Sequence, residues 1–184
     1  MKRIVTIQDI SCVGKCSLTV ALPIISAMGI ETAVIPTAVL STHTAFKNFT
    51  YRDLTNDLPK IASHWKQEKF NFDGIYTGYL GSIEQIYMLK EFFKQFKTSE
   101  NFIFIDPVMA DNGKLYAGFD TNFVKEMKEL CKTADIIVPN LTEASYMLET
   151  EYKENYSEEE IKSMLIELSN LGPKYVVLTG VSFK

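Results

Sequence analysis

Histidine is scarce in this chain of 184 residues: His43 and His64 are the only two, and cysteine is limited to Cys12, Cys16 and Cys131. The spacing of these five side chains matches no zinc-site pattern, which argues against a structural zinc. Three cysteines are an odd number, and with no expected secretion signal they read as reduced thiols rather than a disulfide framework. Cys12 and Cys16 lack the C-x-x-C spacing of a redox pair and read as small packing side chains. Long apolar runs are missing too; none reaches the roughly 18 residues that a membrane span needs. The opening Met1-Lys2-Arg3-Ile4-Val5-Thr6-Ile7-Gln8 turns polar too early for a signal peptide, so a cytoplasmic protein with no membrane partner is expected. A net charge of -4 without a Lys/Arg run gives no stripe for a polyanion, and no nucleic acid partner is expected. Internal repeats, low-complexity tracts and linkers are absent, and the charged stretch from Glu151 to Glu160 reads as a solvated loop and helix start.

What is present fits one globular domain over residues 1–184, with 46% hydrophobic and 23% charged residues. Strand-like runs at Ile4–Gln8, Thr32–Pro36, Phe72–Thr77, Phe102–Ile105, Ile136–Val138 and Tyr175–Leu178 alternate with helical patterns. The helices are expected over Ser17–Met28 with Gly29 as its stop, Asp57–Glu68, Ser82–Phe96, Asn122–Cys131, a short one from Thr142, and Ser157–Leu171. Pro59 is tolerable in a first turn, and Ser82/Gln85 and Ser157/Glu160 both have capping-box spacing. Thr37–Arg52 reads as a polar loop. Several strand runs are nearly continuous in apolar residues, which indicates burial on both faces of a parallel sheet. The expected class is therefore α/β, a three-layer α/β/α sandwich around a mostly parallel sheet.

In an open parallel sheet, ligands bind beyond the carboxyl ends of the strands. Here those ends read Gln8-Asp9, Pro36-Thr37, Thr77-Gly78-Tyr79, Asp106-Pro107, Pro139-Asn140 and Thr179-Gly180, with Glu143 in the first turn of the helix after Asn140. Such a set of oxygen ligands suits Mg²⁺ held by one or two carboxylates and by substrate phosphates. The same residue types also serve as loop and helix caps, and Glu143 also complements a helix dipole, so pattern alone leaves both readings open. Two commoner nucleotide motifs fail. A P-loop needs Gly at Asp9 and Ser or Thr at Cys16, and a dinucleotide fingerprint needs three glycines where Gly14 stands alone.

The ordered motifs themselves resemble a known family. Gln8-Asp9-Ile10-Ser11-Cys12-Val13-Gly14-Lys15-Cys16-Ser17-Leu18, then Ala21-Leu22-Pro23 through Met28-Gly29, is similar to the opening of bacterial pyridoxamine kinases. Pro36-Thr37-Ala38-Val39-Leu40-Ser41-Thr42-His43-Thr44 resembles that family's substrate loop. Thr77-Gly78-Tyr79, Asp106-Pro107-Val108-Met109-Ala110-Asp111 and Pro139-Asn140-Leu141-Thr142-Glu143-Ala144 follow in order. Together these motifs resemble the pyridoxal/pyridoxamine kinases of the ribokinase-like superfamily over essentially the whole chain.

The resemblance implies a ribokinase-like fold and ATP-dependent phosphorylation of the 5'-hydroxymethyl group of pyridoxal, pyridoxamine or pyridoxine. It implies that Asp9, Ser41, His43, Thr44 and Tyr79 surround the pyridine, with Ser11 and Val39 nearby. It implies that Asp106, Asp111, Asn140 and Glu143 hold Mg²⁺, a monovalent cation such as K⁺ and the ATP phosphates, with Asp106, Asp111 and Glu143 as metal ligands. Thr179 matches a phosphate-contacting hydroxyl, and Tyr116 lies in a segment over the site. Without the motif context, Tyr79 also fits a core position and His43 a satisfied loop residue; His64 lies outside the motifs. A homodimer is what the family suggests. The family's general base, an aspartate in Gly-x-Gly-Asp, has no counterpart among these residues. The expectation is that this base and the adenine-binding segment lie downstream of Lys184, that the 184 residues are inactive alone, and that the last strand leaves an open sheet edge. Two other functions stay open: hydroxymethylpyrimidine kinase, whose branch usually carries a Gly-Gly-Ala-Gly-like run where Gly14 stands here, and a non-catalytic nucleotide- or pyridine-binding fragment.

Overall fold

A computed structural model describes residues 1–183, and the chain divides into two compact units, Met1–Phe102 and Ile103–Lys184. In the first unit, β1 (Arg3–Ser11) leads into α1 (Leu18–Ala27), β2 (Glu31–Leu40), β3 (Tyr51–Asp53), a 3-10 turn (Thr55–Asp57), α2 (Leu58–Gln67), β4 (Gly74–Thr77) and α3 (Ile83–Phe96). Its strands lie in the order β3-β2-β1-β4. β1 pairs in parallel with both β2 and β4, so both of its sides are occupied. Both faces of the strand are covered as well: Val5 and Ile7 are buried on one, and Thr6 and Gln8 on the other. Trp65 of α2 packs on Phe72 with ring centroids 5.4 Å apart, and Phe72 meets Phe96 of α3 at 5.5 Å, so one aromatic cluster fixes both helices.

The second unit holds β5 (Phe102–Ile105), a small antiparallel hairpin of β6 (Ala110–Asp111) and β7 (Lys114–Leu115), α4 (Thr121–Cys131), β8 (Ile136–Ile137), α5 (Leu141–Leu148), α6 (Glu158–Asn170) and β9 (Tyr175–Val176). β8 lies between β5 and β9 and is parallel to both. The caps are local and sequence-encoded. Asn140 and Glu143 form a reciprocal capping box at the start of α5, and Ser157 and Glu160 form another at the start of α6.

The expected helices are all present to within one or two residues, and Pro59 does occupy the first turn of α2. The stretch read as a polar loop differs. β2 continues through Thr37 to Leu40, and Tyr51–Asp53 returns antiparallel to Ala38–Leu40. Pro36 has no N–H for the ladder, and the β1–β2 register slips by one residue there, between the pairs Gln8–Pro36 and Ile10–Val39. The chain resumes pairing after the irregularity, so the proline marks a bulge rather than the strand's end.

Candidate active site

In the first unit the predicted pyridine-side residues lie around the ends of β1, β2 and β4. Asp9 lies on β1 at the register slip, opposite the stretch where β2 carries one extra residue. Asp9 is 4% exposed; its Oδ2 accepts the Ser11 hydroxyl at 3.0 Å, and no cation pairs with it among the described residues. Ser11 is likewise buried, and Val39 is half-buried on β2. The Ser41 hydroxyl accepts the Thr50 N–H at 2.9 Å, and the Ser41 N–H donates to the Thr50 carbonyl, which closes the 41–50 loop. His43 packs edge-on against Phe46 with centroids 4.8 Å apart, and Thr44 is exposed on the same loop. Gly14 has a φ of 130°, and a Cβ there would come within 3.2 Å of the His43 ring, so glycine lets the β1–α1 loop run against the histidine.

Tyr79 is held through its backbone: its carbonyl accepts the Thr37 hydroxyl at 3.0 Å. Burial, then the charges of Asp9 and Asp53, push the Tyr79 phenol upward and keep it a neutral donor. Three further residues belong to this cluster and were not among the predicted set. Gln85 is fully buried; its Oε1 accepts the Gly81 N–H at 2.8 Å, while its Nε2 donates to the Thr37 carbonyl at 3.0 Å and to Thr55 Oγ1 at 2.9 Å. Ser82 does cap α3 by accepting the Gln85 N–H at 3.2 Å, but the Gln85 side chain serves Gly81, Thr37 and Thr55 rather than closing a capping box. Tyr51 reaches Asp53 Oδ2 at 3.3 Å, and Thr42 Oγ1 is buried without a hydrogen-bond partner. The capping-box spacing was the one sequence signal near Gln85; Thr42 lay inside the loop motif without being singled out, and Tyr51 carried no signal.

In the second unit the predicted phosphate-side residues gather around β5, the β6–β7 hairpin and the start of α5. Glu143 is 3% exposed and accepts the Asn140 N–H at 2.8 Å and the Met109 N–H at 3.2 Å. Burial pushes its carboxyl up to about 8, with Asp106 adding to the rise and the N–H groups of Asn140, Met109 and Ala110 opposing it. Asp106 is pushed up to about 6 by burial, and its carboxylate has no hydrogen bond or ion pair among the described residues. Burial, then Glu143, Asp111 and Asp106, raise the Tyr116 phenol to about 12. Asn140 donates its amide N–H to the Ala110 carbonyl at 2.8 Å, which ties α5 to the hairpin. Thr179 bridges to Asn140, and its hydroxyl donates to the Pro139 carbonyl at 3.4 Å.

Asp111 is exposed, and both of its oxygens accept from Asn112, one from the backbone N–H at 2.8 Å and one from the side-chain amide at 3.1 Å. Among the described residues no group of three His, Cys, Asp or Glu side chains is placed to enclose a metal ion. The arrangement is instead an open pair, Asp106 and Glu143, uncompensated by Lys or Arg. That donor set suits a hard divalent cation that completes its shell with water and phosphate oxygens.

His64 is exposed on α2, 4.0 Å from Glu68, and the three cysteines are free, Cys131 buried and Cys12 exposed. A cavity of about 680 Å³ lies between α2 and α3, with Ile35, Leu58, Met88 and Phe92 among its walls; none of the predicted site residues lines it. No helix among the described residues is long and apolar enough to cross a membrane.

Residues 22–184 match the family model described as phosphomethylpyrimidine kinase. The chain belongs to the phosphomethylpyrimidine kinase family. This family member is 47% identical to a Bacteroides thetaiotaomicron protein assigned as a phosphomethylpyrimidine kinase and solved in an orthorhombic form with pyridoxal; the TM-score is 0.95 over 99% of this chain and 64% of that one. It is 32% identical to pyridoxal kinase from Lactobacillus plantarum, with a TM-score of 0.90 over 100% of this chain and 65% of that chain. A Schizosaccharomyces pombe protein assigned as a pyridoxal kinase is 29% identical over 152 residues, 79% of this chain and 48% of the relative. The chain thus spans about half the length of that curated relative and under two thirds of the two solved chains. The fold is the ribokinase-like α/β fold of these kinases, with mostly parallel strands and flanking helices.

Proposed function

We propose that this family member serves ATP-dependent phosphorylation of the 5'-hydroxymethyl group of a vitamin B6 vitamer. The observation that carries the reading is the pairing of two chemistries in one chain. Buried Asp9 and the neutral Tyr79 phenol stand by a histidine-bearing loop in one unit, and the uncompensated Asp106 and Glu143 carboxylates stand at the carboxyl end of β5 and the start of α5 in the other. A substituted pyridine needs a few placed polar groups between apolar walls, and Asp9, Ser11, Val39, Ser41, His43, Thr44 and Tyr79 supply both.

On the phosphate side, Asp106 and Glu143 would hold Mg²⁺, and Asp111, Tyr116, Asn140 and Thr179 would contact the nucleotide phosphates or a monovalent cation such as K⁺. The metal supplies charge neutralisation of the phosphoryl oxygens. The residues of this chain bind and orient: Asn140 fixes α5 against the hairpin, Glu143 keeps a carboxylate at the helix start, and the Tyr116 phenol remains a donor. The proton of the hydroxymethyl group is assigned to an aspartate of a Gly-x-Gly-Asp segment, which these residues do not contain. A homodimer in the cytoplasm is the working state in this reading.

Hydroxymethylpyrimidine phosphorylation is the second reading, favoured by the family model itself. An ATP-consumption assay on the gene's complete translation product, run with pyridoxal, pyridoxamine, pyridoxine and hydroxymethylpyrimidine, separates the two. Turnover with the B6 vitamers well above that with the pyrimidine is expected; turnover with the pyrimidine alone would overturn the vitamer reading.

A further inference from the structure

The pyridine side of the first unit is acidic in a way that its hydrogen bonds do not resolve. Asp9 is 4% exposed, and among the described residues its one hydrogen-bond partner is the neutral Ser11 hydroxyl at 3.0 Å. A buried carboxylate without a cation is costly, and a cationic ligand is the direct way to offset it. Asp53 adds a second carboxylate. Its Oδ1 accepts the Thr55 N–H at 2.7 Å and its Oδ2 accepts the Tyr51 hydroxyl at 3.3 Å. Burial raises the Asp53 carboxyl, but the bonds from Thr55 and Tyr51 outweigh it, and the group stays below its ordinary range and charged. Arg52, between Tyr51 and Asp53, falls on the opposite face of β3 by the two-residue alternation of a strand.

Tyr51 is the link between these carboxylates. The register sets Tyr51 opposite Leu40 and Asp53 opposite Ala38, with Leu40 in turn opposite Ser11, the partner of Asp9; in line with that placement the phenol feels burial first, then Tyr79, Asp53 and Asp9. Room for that phenol is made by Gly81: a Cβ at this position would lie 2.5 Å from the Tyr51 oxygen. The Gly81 backbone is itself pinned by Gln85 at 2.8 Å, so the gap is a fixed part of the site. With its own proton given to Asp53, the Tyr51 oxygen presents lone pairs, and a carboxylate behind it strengthens it as an acceptor.

We propose that Tyr51, backed by Asp53, is a specificity-determining residue that acts with Asp9 to select a pyridine bearing a protonated amine over one bearing an aldehyde or a hydroxyl. The selection rests on the vitamer-kinase reading and narrows it to the aminomethyl substrate. An ammonium group brings several donors and a positive charge to three acceptors. An aldehyde brings only acceptors, and a hydroxymethyl group brings one neutral donor. Hydrogen bonds to charged groups exceed neutral ones by enough to give a preference of roughly tenfold.

The test is calorimetric titration of the chain with pyridoxamine, pyridoxal and pyridoxine; pyridoxine serves as a neutral ligand that cannot condense with lysine amines. The wild-type chain is expected to bind pyridoxamine roughly tenfold more tightly than pyridoxine. Tyr51→Phe and Asp53→Asn should each bring that ratio close to one. Gly81→Ala, which crowds the phenol without removing it, should reduce the ratio as well. Equal or inverted wild-type affinities, or a ratio that survives in both Tyr51→Phe and Asp53→Asn, would overturn the selection and leave the kinase reading standing. Binding of none of the three ligands by the wild-type chain would overturn both.

Discussion

Glu143 shows how one side chain serves structure and chemistry together. Its carboxylate completes the capping box of α5, yet it is 3% exposed and shares its surroundings with Asp106, so the charged form is held at a cost. Between its ordinary value of 4.5 and about 8, the folded chain keeps a proton that the unfolded chain has released. Asp106 behaves the same way between 3.8 and about 6. Stability is therefore greatest below these windows and falls as pH rises through them, because the native state binds more protons there. A fall of several degrees in the thermal midpoint between about pH 5 and pH 8 is expected by calorimetry. Glu143→Gln should flatten this slope, and a slope unchanged by the substitution would remove Glu143 as its source. These shifts were not legible in the sequence, where Glu143 read equally well as a helix-dipole partner; the burial that raises them arises from the packing of α5 against the hairpin.

At the scale of elements, the strand ends were the legible part. Apolar runs, punctuated by Asp9, Thr37, Tyr79, Asp106, Asn140 and Thr179, marked where the sheet would present polar atoms: Asp9 lies near the end of β1, Thr37 in the bulged part of β2, and the other four within three residues beyond a strand end. β3 was not legible, since Tyr51, Arg52 and Asp53 are three exposed residues whose pairing depends on β2 lying alongside. Gln85 was legible only as half of a capping pattern. Its amide in fact joins three segments of chain: β2 at Thr37, the turn at Thr55 and the β4–α3 loop at Gly81. Gln85→Leu keeps the volume but takes the acceptor from the part-buried Gly81 N–H and one donor each from the Thr55 hydroxyl and the Thr37 carbonyl, which keeps the Leu54 N–H; a group left unsatisfied costs about 1–3 kcal/mol. Denaturant unfolding should show a loss of that order, together with weaker vitamer binding. A variant that keeps wild-type stability and affinity would mean that water or backbone movement replaces the amide.

At the scale of the whole molecule, the sequence pattern pointed to an α/β fold with a mostly parallel sheet, and the match to solved pyridoxal kinase structures bears this out. It did not foresee the partition into two compact units. That partition separates the polar groups by role: Asp9, Tyr51, Asp53 and Tyr79 lie in the first unit, and Asp106, Tyr116, Asn140 and Glu143 lie in the second. If the first unit reads the pyridine and the second holds the cation and phosphates, a lesion in one should spare the ligand of the other. The direct measurement is a paired titration of the gene's complete translation product and its Asp9→Ala variant, one with a B6 vitamer and one with ATP and Mg²⁺. Vitamer affinity is expected to fall by roughly tenfold or more in Asp9→Ala while nucleotide affinity stays within about twofold. Vitamer affinity unchanged by the loss of Asp9, with nucleotide affinity reduced instead, would contradict the account.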